Sequence, residues 1–133
     1  VINSRNKGAA GEREVAKLIN DLLGVVLVRN LDQWRSGGFD LIGLKGWAIE
    51  VKRAKKPMVA KWWQQTVEQA EPADLKPVLF YRLDHQPWRV VLPANLLSKG
   101  LCLSKELDYC VEMTPELFAC LIREKFAESL DGD

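Results

Sequence analysis

The sequence predicts an α/β domain with a mixed central β-sheet and helices covering its faces. Three observations carry that reading. Apolar residues at three-to-four spacing mark amphipathic helices at residues 8–23 (Val15, Leu18, Ile19, Leu22, Leu23) and 59–71 (Val59, Trp62, Trp63, Thr66, Val67, Ala70). Short β-branched and aromatic runs lie between and after them, at 25–28, 39–44, 47–53, 77–82 and 88–92. The resulting order is α-β-β-β-α-β-β, followed by a C-terminal strand and helix, and that alternation belongs to layered α/β folds.

Taken in order, residues 1–7 are polar and basic and read as a flexible arm. Gly24 closes the first helix as a C-cap glycine, and Val25-Val26-Leu27-Val28 forms a strand ending at Arg29-Asn30. A polar loop through Ser36-Gly37-Gly38 precedes two strands joined by a tight turn at Lys45-Gly46. Lys55-Lys56-Pro57 breaks the sheet before the second helix. The strands at 77–82 and 88–92 flank a turn that holds His85. Residues 94–104 are irregular, 107–113 contain a short strand, and Thr114-Pro115-Glu116 supplies an N-cap and an N1 proline for a helix reaching about residue 129. There is no internal repeat or interdomain linker, so residues 1–133 read as one domain, with 93–133 as a C-terminal extension.

Composition narrows the chemistry. No apolar run approaches the roughly 18 residues of a membrane span, and no signal peptide is visible, so the expected location is cytoplasmic. Cys102, Cys110 and Cys120 are odd in number, lack CxxC spacing and read as small core residues. With His85 the only histidine, a His-based metal cluster or Ser-His catalysis is hard to build, which leaves carboxylates, lysine and water. The net charge of +1 conceals an asymmetry. Residues 1–65 hold 12 Lys/Arg against 6 Asp/Glu (+6), and residues 66–133 hold 7 against 12 (−5). A basic face for a polyanion is the expectation, although halves of a sequence need not map to faces of a fold.

Asp40 and Glu50-Val51-Lys52 are charged groups set inside apolar strands, where burial demands a reason. Glu50 and Lys52 share one strand face, because side chains alternate with period two. Two carboxylates and an amine at adjoining strands suit a divalent metal and a water beside a phosphodiester, the chemistry of a metal-dependent nuclease. Each residue also has a plain reading. Glu50 and Lys52 fit a solvated strand face, Asp40 a turn residue after Gly37-Gly38, and Glu12 a first-turn helix acid favoured by the macrodipole.

The pattern Lys7-Gly8-Ala9-Ala10-Gly11-Glu12-Arg13-Glu14, then Val28-Arg29, Asp40, Glu50-Val51-Lys52, Pro77-Val78-Leu79 and Trp88-Arg89, resembles the archaeal-type Holliday junction resolvases of the PD-(D/E)XK nuclease superfamily. The likeness runs in order from about Lys7 to Leu92. It departs at Phe39, where the superfamily's name has proline, and over the C-terminal 40 residues. The resemblance implies a restriction-endonuclease-like fold and a catalytic set of Glu12, Asp40, Glu50 and Lys52. Asp40, Glu50, Glu12 and the Val51 carbonyl would serve Mg²⁺, with Mn²⁺ substituting, and Lys52 would orient water and stabilise phosphate charge. Arg13 and Arg29 match basic positions of the pattern, and Arg5, Lys7, Arg35, Arg53, Lys55 and Lys56 are further candidates for phosphate contacts. Trp62 and Trp63 read as core or dimer-interface residues, and Gln64 and Gln65 as solvated.

The activity so implied is a Mg²⁺-dependent, structure-selective DNA endonuclease that resolves four-way junctions by paired nicks. It would act on branched DNA as a homodimer, with no membrane and no organic cofactor. The alternatives are another recombination or repair nuclease of the superfamily, such as a nickase, and a non-catalytic DNA-binding module.

Overall fold

The computed structural model describes residues 4–31 and 38–131, with side chains from Gly8 onward. Arg5, Lys7 and Arg35 therefore lie outside the described side chains. The elements are α1 (Ser4–Leu23), β1 (Val28–Arg29), β2 (Leu41–Ile42), β3 (Trp47–Ala54), α2 (Val59–Ala70), β4 (Lys76–Leu83), β5 (Arg89–Pro93), β6 (Cys110–Met113) and α3 (Pro115–Lys125). The order anticipated from sequence is the order observed. The six strands form one sheet in sequential order. Every neighbouring pair is antiparallel except β3 and β4, which run parallel across the α2 crossover.

Each face of the sheet is covered, which is why β3 and β4 are buried along most of their length instead of alternating. On one face, Val15 and Ile19 of α1 and Phe118 and Ile122 of α3 pack on Ile49, Val51, Val78, Phe80, Val90 and Leu92. On the other, Trp62 and Trp63 of α2 pack on Leu79, Tyr81 and Val91. Trp47 anchors the far end of β3, edge-on to Phe118 and Phe126 at 5.3 and 5.4 Å, with its indole N–H donated to Ser129 Oγ at 3.2 Å.

Several expectations need correction. α1 starts at Ser4, so residues 4–7 are helical rather than an arm. Nothing between Ser4 and Gly8 breaks a helix, and a packed segment propagates outward at little cost. The strands expected at 25–28 and 39–44 shrink to β1 and β2, two residues each. The last helix ends at Lys125, followed by a 3₁₀ turn at Ala127–Leu130. Within the C-terminal extension, Met113, Phe118 and Ile122 belong to the main core. The cysteines are not core residues either: Cys102 and Cys120 are exposed and Cys110 is partly buried. The Thr114 cap holds, accepting the Leu117 N–H at 3.1 Å, and Gly24 takes the positive φ (72°) expected of a C-cap. Among the described residues no helix is long and apolar enough to cross a membrane.

Candidate active site

The short β2 creates the site. It pairs with β3 only at Leu41–Ile49, so the edge of β3 beyond Ile49 has no strand beside it. Asp40 takes that place. Its N–H donates to the Ile49 carbonyl at 2.8 Å, and its Oδ2 accepts the Val51 N–H at 2.8 Å. A carboxylate thus replaces the missing ladder partner, which satisfies a buried donor and fixes the side chain. Within a strand, a residue's N–H and C=O point toward the same edge, so the Val51 carbonyl faces the Asp40 side of β3. Asn30, which the sequence offered only as a strand terminus, fixes the approach to Asp40. It is buried, its N–H donates to the Asp40 carbonyl at 2.8 Å, and its Nδ2 donates to the Phe39 carbonyl at 2.9 Å.

Glu50 and Lys52 lie on the α2 face of β3, beside Ala48, which packs with Phe39 and Ala70. Glu50 is 5 % exposed and Asp40 8 %. Burial pushes the Glu50 carboxyl well above the ordinary carboxylate range. The hydrogen-bonded Asp40 carboxyl pushes it further, while Lys52 opposes the shift. Charging Glu50 beside a second buried carboxyl is costly, so Glu50 holds its proton well past the ordinary range. Glu12 reaches the same group from α1. It raises the Glu50 value and is itself raised, first by burial and then by Asp40, against the lowering effect of its bond from Arg29. Arg29 Nε donates to Glu12 Oε1 at 2.7 Å. Glu12, Asp40, Glu50 and Lys52 are therefore one electrostatic unit drawn from three elements.

The basic residues are placed unevenly. Arg13 is exposed beside Glu12, and Lys55 and Lys56 are exposed where β3 ends. Arg53 is only partly exposed, and its Nη1 donates to Glu14 Oε2 at 2.8 Å, while Arg82 donates to the other oxygen of the same carboxylate. Sequence reasoning gave Glu14 no role, yet it ties α1 to both β3 and β4. Trp62 and Trp63 are core residues of the α2 face, and Gln64 is exposed.

The donor set suits a hard divalent cation. Asp40, Glu50 and the Val51 carbonyl offer oxygen ligands, and two carboxylates plus waters is how Mg²⁺ is commonly held. Among the described residues no three His, Cys, Asp or Glu side chains already stand together as a cation cage.

Residues 3–111 match the model of the family described as "Phage putative PDDEXK endonuclease". The chain belongs to that family. It is accordingly a PD-(D/E)XK nuclease, of a family that cleaves DNA by hydrolysis and generally uses divalent metal. No curated protein matches the chain. Among solved structures, the 1.6 Å structure of Hjc, a Holliday junction resolvase from Archaeoglobus fulgidus, is similar over 81 % of this chain and 84 % of that one. The two are 20 % identical, with a TM-score of 0.49.

Proposed function

We propose that this PD-(D/E)XK endonuclease is a Mg²⁺-dependent, structure-selective DNA endonuclease that resolves four-way junctions by paired nicks. The observation that carries the catalytic part is the buried Asp40–Glu50 pair with Lys52 on the same strand face and Glu12 close by. Such a cluster is unfavourable in a folded protein unless its charge is used. The junction preference rests on the sequence resemblance through the Lys7–Glu14 pattern.

Asp40, Glu50 and the Val51 carbonyl would hold the cation, with Glu12 as a further carboxylate close to them. When bound there, a divalent ion supplies charge neutralisation at the phosphate and a more acidic water. Lys52, on the same strand face as Glu50, would direct its ammonium toward a scissile phosphate. There it donates to the attacking water or to the phosphoryl oxygens, where charge builds. Asp40 keeps its orientation through the Val51 N–H, so the strand edge itself aligns one ligand. Arg13, next to Glu12, and Lys55 and Lys56, just past the end of β3, are exposed and suit phosphates along the DNA arms. Resolution needs two symmetric cuts, which a homodimer with one site per subunit provides.

The test is cleavage of a four-way junction, a flap, a nicked duplex and a linear duplex by the same protein in Mg²⁺. Paired nicks at the junction in preference to the others are expected. Equal cutting of all four would leave the nuclease and remove the junction assignment, and full activity in excess EDTA would remove the cation.

A further inference from the structure

Glu12 and Arg29 occupy each other beside the carboxylate cluster, and each has another use there. Glu12 is the third carboxylate beside Asp40 and Glu50, yet its Oε1 accepts from Arg29 Nε at 2.7 Å. Its side chain is 15 % exposed and that of Arg29 is 37 % exposed. Arg29 sits on β1 opposite Leu41, the residue after Asp40, and so on the sheet face that α1 covers, where Glu12 meets it. A guanidinium at that place is suited to a phosphate, which it binds with a fork of N–H donors. A carboxylate released there gains a reason to turn inward, toward a cation that Asp40 and Glu50 hold with few protein ligands.

We infer that the Glu12–Arg29 ion pair is a substrate-exchanged latch: DNA phosphate takes Arg29, and the freed Glu12 completes the oxygen cage around the divalent cation. The inference rests on the cation site proposed above and deepens it. Two facts make the exchange cheap. The Arg29 side of the pair is 37 % exposed, so water offsets part of the loss when the pair opens. Each partner moves from one opposite charge to another, so neither is left uncompensated. Because coupling is reciprocal, DNA tightens the cation and the cation tightens DNA through the same two side chains.

The experiment measures Mn²⁺ binding to the DNA-free protein, by the electron paramagnetic resonance signal of unbound Mn²⁺. Arg13 is the control, since it acts on Glu12 through charge without the described hydrogen bond. Arg29→Met should bind Mn²⁺ roughly tenfold more tightly than the wild type, a typical size for coupling between sites. Arg13→Met should gain clearly less. In a Glu12→Gln background the advantage of Arg29→Met over Arg13→Met should vanish. Arg29→Gln, which keeps a polar group on the exposed strand, gives the same reading should Arg29→Met be unfolded by circular dichroism. A mirror measurement in EDTA follows junction affinity: Glu12→Gln should tighten binding, and this gain should shrink when Arg29 is also Met.

Equal Mn²⁺ gains for Arg29→Met and Arg13→Met would overturn the latch, as would a gain that survives Glu12→Gln. If the wild type binds no Mn²⁺ that Asp40→Asn removes, the cation site itself is wrong and the latch falls with it. If Asp40-dependent binding is present without the Arg29 effect, only the latch fails.

Discussion

At the scale of single residues, Glu50 sets a conflict between stability and chemistry. Its carboxyl stands above the ordinary value of 4.5, chiefly through burial. The folded state therefore keeps a proton that the unfolded chain releases. The contribution of Glu50 to stability is full below about 4.5 and drains away as pH rises toward the folded value. Glu50→Gln is accordingly expected to raise the melting temperature of the metal-free protein at pH 7, by about 1–3 kcal/mol of stability. The same change should abolish cleavage, as should Asp40→Asn, with losses on the order of 10³-fold in single-turnover rate. Mg²⁺ should raise the melting temperature of the wild type more at pH 8 than at pH 6, because binding displaces the retained proton. Scanning calorimetry at both pH values checks this, and a Glu50→Gln protein less stable than wild type would contradict the account. Binding of junction DNA should persist in both variants, since neither change removes a group that contacts phosphate directly.

At the scale of elements, the Glu14 brace and the β2–β3 hairpin decide where the ligands stand. Glu14 accepts from Arg53 on β3 and from Arg82 on β4, so it fixes the rotation of α1 and with it the direction of Glu12. Glu14→Gln leaves two partly buried guanidinium groups undercompensated. A loss of about 1–3 kcal/mol by urea denaturation is expected, with a smaller fall in cleavage rate than Glu50→Gln gives. Gly43 in the hairpin has φ of 135°, and a Cβ there would lie 2.5 Å from the Val26 carbonyl oxygen. Gly43→Ala should cost more than about 1 kcal/mol and displace β2, the strand that follows Asp40. The hairpin was legible because Lys45-Gly46 sits between two apolar runs. The shortness of β1 and β2 was not, since Val25–Val28 and Phe39–Leu44 have strand composition throughout. Pairing requires a neighbour at each position, and Asp40 supplies it with a side chain instead of a strand.

At the scale of the molecule, the +6 half presents Arg13, Lys55 and Lys56 as exposed cations near the cluster, whereas Arg29 and Arg53 are engaged by Glu12 and Glu14. Each phosphate neutralised contributes about −0.9 to the slope of log affinity against log salt on duplex arms. Replacing Arg13 and Arg29 with alanine should weaken junction binding and flatten that slope in a fluorescence titration. Arg123 and Lys125 on α3 serve the fold: Arg123 Nη1 donates to the Leu22 carbonyl at 3.0 Å, near the end of α1, and Lys125 Nζ to the Leu97 carbonyl at 2.7 Å. Arg123→Ala should cost about 1 kcal/mol of stability and leave DNA affinity and slope unchanged. Loss of binding in Arg123→Ala with retention in Arg13→Ala/Arg29→Ala would place the DNA face on the wrong side.

The sequence by itself determined the element order, the helix caps at Gly24 and Thr114, and Asp40, Glu50, Lys52 and Glu12 as candidates, because period, turn chemistry and charged residues within apolar strands are local signals. Only the tertiary structure decided that Asp40 stands in for a strand on β3, that Glu14 clamps two arginines, that Asn30 supports the Asp40 backbone, and that Met113, Phe118 and Ile122 complete the core. Those are contacts between residues far apart in the chain. Each depends on which faces meet and where a strand stops, and no local pattern encodes either.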